Sequence, residues 1–281
     1  MSFTNGRPMS SLRRALRTAV GLAAALMVVV VPALAGSIAD IKSKGVVSIG
    51  IQGDNPPWGF VNSEGVQEGF DADIGKAFAS HLGVEVKFVP LAVANRITAL
   101  TTGQVDVLFA TMAMLPDRAK AVQYSKPYVS NIIYLLGAKT DTIKRSSDMG
   151  NYSIGVPSAS VQDTQVTKNA PAGTRILRYA DDETAIQGLI SGQVQAVGGN
   201  MFYIDRLEKA RPGVFETKIE FTRLHNGACS KLGDKELNAE LNAFVDKIKG
   251  NGVLAAAYAK WMKVPVPEFP AGVKGVPFVV N

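Results

Sequence analysis

Cysteine, histidine and charge are all scarce in this chain. Among 281 residues there is one cysteine, Cys229, and there are two histidines, His81 and His225. A lone thiol has no partner for an internal disulfide, so the fold must rest on its core. Two histidines far apart in sequence, with no cysteine cluster beside them, give no support to a zinc site. Charged residues are 19% of the chain against 47% hydrophobic ones. That balance excludes a disordered chain and supplies enough apolar material for one large domain or two smaller ones. A phosphate-cradling glycine loop is also missing. Gly198-Gly199 sits at a strand end without the rest of a dinucleotide fingerprint, so no cofactor is expected.

Basic residues outnumber acidic ones, 30 to 24. The excess is concentrated at the start. Arg7, Arg13, Arg14 and Arg17 precede residue 36, where no acid occurs, and the remainder carries 26 against 24. No basic patch remains to suggest a nucleic-acid partner. The same stretch has the three-part layout of a secretory signal peptide: an arginine-rich start, an apolar run from Thr18 to Val31, and Ala33-Leu34-Ala35 before Gly36. Residues 1–35 are expected to be removed on export. Extended from Thr18 to Ala35, the apolar run nears the ~20 residues of a membrane span, but the small-residue end favours cleavage. Arg13-Arg14 leaves the twin-arginine export route open. No cysteine follows the cleavage point, so a lipid anchor is not expected.

The remaining chain alternates between two periodicities. Val46 to Ile51 reads as a buried strand and Asp54-Asn55-Pro56-Pro57 as a loop. Phe70, Ile74, Ala77, Phe78 and Leu82 recur at helical spacing, with Asp71 as expected N-cap and Gly83 as terminator. Val84 to Val89 is a second strand. Strand–helix alternation of this kind predicts an α/β fold with mainly parallel sheets. One segment is echoed. Ile97 to Val105 and Ile186 to Val194 share Ile, Leu, Gly, Gln and Val at a constant offset of 89 positions. That is too long for a solenoid repeat and suits two similar lobes. The strands that follow end at Thr111 and Asn200. Ligands of open α/β sheets bind beyond the carboxyl ends of strands, so these residues would face one cleft.

Several stretches in order resemble the periplasmic amino-acid-binding proteins of ABC importers, the bacterial extracellular solute-binding proteins of family 3. They are Gly69 to Ile74, Leu100 to Asp106, Pro116-Asp117-Arg118, Tyr124 to Tyr128, and Gly252 to Trp261. The resemblance runs from about Ile41 to Met262. It implies the type II periplasmic-binding-protein fold, two α/β lobes joined by two hinge strands near Tyr128–Ile132 and Thr222–Asn226. Residues 36–128 and 226–281 would form one lobe and 129–225 the other. It also implies a small carboxylate-bearing ligand, a membrane permease as partner, a monomeric state and no catalytic role. A dehydratase on the same fold is the alternative, as is a ligand-presenting sensor.

By resemblance, Arg118 corresponds to the arginine that grips the ligand carboxylate, a task its planar fork suits. Thr111, Ala113, Asn55, Val93, Ser160 and Asn200 complete the expected site. Backbone amides near Ala113 and Ser160 would add donors. The sequence departs from the family where Asn200 replaces an aspartate that holds the ligand ammonium, where Ala113 replaces a hydroxyl residue, and where Asn55 replaces an aromatic one. A buried ammonium without a counter-charge is costly. Either the ligand is less cationic than an ordinary amino acid, or a nearby acid, Asp54 or Asp163, supplies the charge. Trp58 and Phe60 read as loop anchors or ligand contacts, and so do Tyr134 and Tyr203. Trp261 and Cys229 read as core. Asp181-Asp182-Glu183 reads as the acidic start of a helix, and His81 as a residue near a helix end.

Overall fold

The computed structural model describes residues 38–280; the expected leader lies outside them. In chain order the first elements are α1 (Ile38–Lys44), β1 (Val46–Ile51), β2 (Asp54–Asn55), β3 (Gly59–Val61), β4 (Gln67–Glu68) and α2 (Phe70–Leu82). Then come β5 (Glu85–Pro90), α3 (Arg96–Thr102), β6 (Val107–Leu108), α4 (Pro116–Ala119) and β7 (Val122–Ala138). The next group is β8 (Ile154–Pro157), α5 (Val161–Asn169), β9 (Ile176–Tyr179), α6 (Asp182–Ile190), β10 (Ala196–Asn200) and α7 (Tyr203–Ala210). The chain closes with β11 (Phe215–Lys231), α8 (Lys235–Gly250) and α9 (Val253–Ala257).

The main sheet has eight strands in the order β5-β1-β6-β11-β7-β10-β8-β9. Its flanks are parallel: β1 pairs with β5 and β6, and β8 with β9 and β10. Its middle is antiparallel, because β7 and β11 run against each other and against their neighbours. These two strands are 17 residues each, long enough to serve both flanks. The two segments expected to cross between lobes pair there, with Ser130 opposite His225 and Ile132 opposite Arg223. Register shifts at Glu220/Thr222 and Asn226/Gly227 bracket the pair. Such bulges bend a strand and raise its twist.

Each flank has its own core. On one, α2 and α8 cover the sheet, and Phe78, Phe109, Tyr128 and Phe244 pack with Ile49 and Val107. On the other, α6 and α7 bring Leu189, Tyr203 and Leu207 against Leu136 and Val197. Cys229 is fully buried, and burial pushes its thiol pKa well up, as befits an inert side chain. Trp261 is not core. It is half-buried, stacks edge-on against Phe60 and donates from Nε1 to Asp73 at 2.7 Å.

The helix starts differ in one respect from expectation. The cap of α2 is Gly69 at φ 119°, not Asp71. Added side-chain atoms at Gly69 would lie 2.6 Å from the Trp58 carbonyl, so the chain needs glycine at this approach. Asp71 falls inside the first turn and is fully buried. Gly83 closes the helix in the left-handed conformation as expected. The echoed segments are α3 and α6, followed by Gly103 and Gly192, both at positive φ. The first echoed strand is shorter than expected. β6 ends at Leu108, and the chain reaches Thr111 at φ 47°.

Phe244→Ala would remove a ring that meets both Phe78 and Phe109. The expected loss is about 3–5 kcal/mol, read as a lower urea midpoint with an unchanged slope.

Candidate functional site

One cleft gathers every residue expected to form a site. Asn55, Val93, Thr111, Ala113, Arg118, Ser160 and Asn200 all line it, with about 370 Å³ of space including its mouth. Gln52, Arg96, Asn131, Val161, Gln162 and Asp182 are further lining residues. Elements from both flanks of the sheet contribute. The turn after β1, the start of α3, the turn after β6 and α4 form one wall, and the first turns of α5 and α6 and the end of β10 form the other.

Arg118 is half-buried on α4 and reaches across, its Nη2 donating to the Ala159 carbonyl at 3.2 Å. Its neighbour Asp117 does not hold it; Asp117 pairs with Lys120 at 2.7 Å. Ala159 sits at φ 58° immediately before Ser160, the cap of α5. Ser160 accepts from the Asp163 amide and donates to the Pro157 carbonyl. The first amides of a helix lack intrahelical partners, and Val161 and Gln162 place that helix end at the cleft. Thr111, the other non-glycine residue at positive φ beside the cleft, is fixed on three sides. Its amide donates to Asp71, its hydroxyl donates to Gln52 Oε1, and the same hydroxyl accepts from Arg96. Strained conformations of this kind persist only where the surroundings over-determine them.

Two of the lining residues not expected from the sequence carry charge. Arg96 is 2% exposed. It donates to the carbonyls of Leu91 and Ala110, but its Nη2 has no partner among the described residues. Burial lowers its pKa to about 10, the charge of Asp182 opposes that, and Arg118 adds to it. Asp182 is 1% exposed. Its carboxylate accepts from Gln52 at 2.6 Å, Asn55 at 3.2 Å and the Tyr203 hydroxyl at 2.5 Å. Burial raises its pKa to about 6, Asp54 adds to the rise, and Tyr203, Arg96 and Arg206 act against it. Gly199 makes room for this arrangement, since a Cβ there would lie 2.2 Å from the Tyr203 ring.

The acidic run 181–183 therefore divides. Asp181 caps α6 by accepting from the Thr184 amide at 2.8 Å, Asp182 turns into the cleft, and Glu183 pairs with Arg206. The acids suggested as replacements for a charge at Asn200 are engaged elsewhere. Asp54 accepts from the amide of Asp182 at 2.7 Å, and Asp163 pairs with Arg178 at 2.9 Å. Asn200 donates to Asn55 and accepts from the Phe202 amide. Trp58 is a packed anchor against Phe70 and Phe202. Neither histidine lines the cleft; His81 pairs with Glu240, and His225 contacts Ser130.

Asp71 and Asp182 both have folded pKa values raised to about 6 from an ordinary 3.8. The folded state then holds more protons than the unfolded one between those values, so their joint contribution to stability falls as pH rises from about 4 to 6. Replacing Asp182 by asparagine removes its share of that fall, so urea unfolding from pH 4 to 7 should show a less negative pH slope for Asp182→Asn than for the parent chain.

Residues 47–264 match the family described as bacterial extracellular solute-binding proteins, family 3. The L-cystine-binding protein TcyJ of Escherichia coli (strain K12) is 26% identical over 236 residues, 83% of this chain and 88% of that one. The ABC transporter glutamine-binding protein GlnH of Bacillus subtilis (strain 168) is 30% identical over 232 residues, 81% of this chain and 85% of that one. Among solved structures, the ancestral amino acid-binding protein AncCDT-1, a precursor of cyclohexadienyl dehydratase, has a TM-score of 0.72 and 27% identity, covering 80% of this chain and 98% of that one. Sequence and fold agree, and the chain belongs to family 3 of the bacterial extracellular solute-binding proteins.

Proposed function

We propose that this chain captures a small, amino-acid-like carboxylate for an ABC importer of the inner membrane. It acts as a monomer in the periplasm after loss of residues 1–35. The observation that carries the reading is the meeting of Arg118 with the segment leading into α5 across one cleft, which the start of that helix also lines. A guanidinium fork and a helix start are both built to hold a carboxylate. Arg96 Nη2, buried and unpartnered, is a third donor source. The relatives TcyJ and GlnH bind L-cystine and glutamine by name, and this supports the same ligand class here.

The two flanks act as lobes, residues 36–128 with 226–281 and residues 129–225. They open and close about the paired segments at Ser130–Ile132 and Arg223–His225, where the bracketing bulges lower the cost of bending. The direct contacts between Gln52 or Asn55 and Asp182, and between Arg118 and Ala159, belong to the closed form. That form is the one a permease would recognise.

A dehydratase is the second reading, favoured by one feature. Asp182 is a cleft carboxyl group with a pKa raised to about 6, the property of a proton carrier. Incubation with prephenate or arogenate separates the two; product formation would make the protein an enzyme.

For the binding reading, residues 36–281 are screened by thermal shift against the common amino acids, keto acids, dicarboxylates and betaines. A ligand at about 100 times its Kd adds roughly 2.7 kcal/mol, a rise of several degrees for a chain this size. Arg118→Ala should weaken the best ligand by about 2–5 kcal/mol. Unchanged affinity in calorimetry would remove Arg118 from the site.

A further inference from the structure

Asp182 is the only acid among the described residues that line the cleft. Each of its direct side-chain partners, Gln52, Asn55 and Tyr203, is a neutral donor. Its charge is therefore solvated by the protein and not cancelled by a contact ion pair. The acids around it are differently placed. Asp54 is spent on the amides of Asp182 and Glu183, and Glu183 and Asp163 pair with Arg206 and Arg178. Asp182 Oδ2 receives one protein donor, Gln52, which leaves acceptor capacity on that oxygen.

Two buried atoms of the same cleft lack partners among the described residues, and they are of opposite kind. Nη2 of Arg96 is a donor and Oδ1 of Asn131 is an acceptor. Leaving either unpaired costs free energy. A solute with both an anionic acceptor and a cationic donor satisfies both. Asn200 has an indirect part in this. Its amide donates to Asn55 Oδ1, and Asn55 in turn donates to Asp182. The side chain at position 200 orients the donor that holds the acid, and the acid itself is delivered by α6.

We propose that Asp182 recognises a positively charged group of the captured solute, so that the cleft selects zwitterions with the carboxylate at Arg118 and an ammonium beside Asp182. The proposal rests on the solute-binding reading. It assigns the counter-charge that Asn200 lacks to a residue on another helix.

The test uses residues 36–281 and three matched pairs of probes: L-glutamine, L-arginine and L-cystine, each with its des-amino counterpart. Calorimetry is run on the parent chain and on Asp182→Asn. The parent should bind at least one amino acid at least tenfold more tightly than its des-amino partner. Asp182→Asn should lose about a hundredfold for that amino acid and less than about threefold for the des-amino compound. An equal loss for both would show a structural role and overturn the proposal, as would an undiminished affinity for the amino acid. Should Asp182→Asn fail to fold, the parent comparison decides alone, because equal affinity for the two members of each pair contradicts an ammonium site. A parent that binds only des-amino carboxylates overturns this proposal and leaves solute capture standing. A parent that binds no carboxylate in the panel or the wider screen overturns both.

Discussion

A carboxylate withdrawn from water must be given donors, and the cleft of this protein is organised around that requirement at Asp182. Its three donors come from well-separated places. Gln52 and Asn55 follow β1, and Tyr203 opens α7 in the other flank. Satisfying one buried charge therefore fixes one wall of the cleft against the other. Tyr203 can reach the acid only because Gly199 has no side chain. Asn55 points correctly because Asn200 holds it. The opposing wall is set in the same way by Asp71, which accepts from Tyr128 and from the amide of Thr111 and so holds Thr111 in its strained conformation.

The closure proposed above is a hinge motion about the joining strands. Each flank has its own apolar cluster, and β7 and β11 join them. In that reading the joining segments bend at their bulges. Polar contacts across the cleft are accompanied by apolar ones, Trp58 against Phe202 and Ala113 with Val161. The polar ones are of the type that a bound solute can join or replace. Hydrophobic burial holds each flank together, and both kinds of contact across the cleft set the distance between the walls.

Much of this was legible in the sequence, and the reason is locality. The strand Val46–Ile51 and the helix ending at Gly83 each follow from a short pattern that neighbouring residues impose, whereas the paired crossing segments came from the family resemblance. Thr111 and Asn200, read from strand ends, fall on the cleft, as do Arg118 and the other residues that the family resemblance supplied. Arg96 and Asp182 were not legible as site residues. A charged residue at a helix start is usually solvated, and an aspartate beside an N-cap is explained by the helix dipole alone. What makes them different is burial by partners far away in sequence, such as Gln52, which is 130 positions from Asp182. The echo between α3 and α6 carried the one available signal. Arg96 and Asp182 both sit near the start of an echoed helix, so the pattern that located Thr111 and Asn200 at strand ends also pointed at these helix starts. The cap of α2 was misplaced for a related reason, since Asp71 is a good capping residue by type and is held instead by Tyr128 and Thr111.

The central claim is that the charge on Asp182 is matched by a cation on the solute. Proton linkage measures it most directly. Whichever of L-glutamine, L-arginine and L-cystine binds is titrated calorimetrically at pH 6 in two buffers of different ionisation enthalpy. Burial raises the pKa of this carboxyl group to about 6, so part of it is protonated at that pH. An ammonium placed beside it stabilises the carboxylate, and binding should release protons, an effect absent in Asp182→Asn. Binding without proton release, or with proton uptake, would contradict the account.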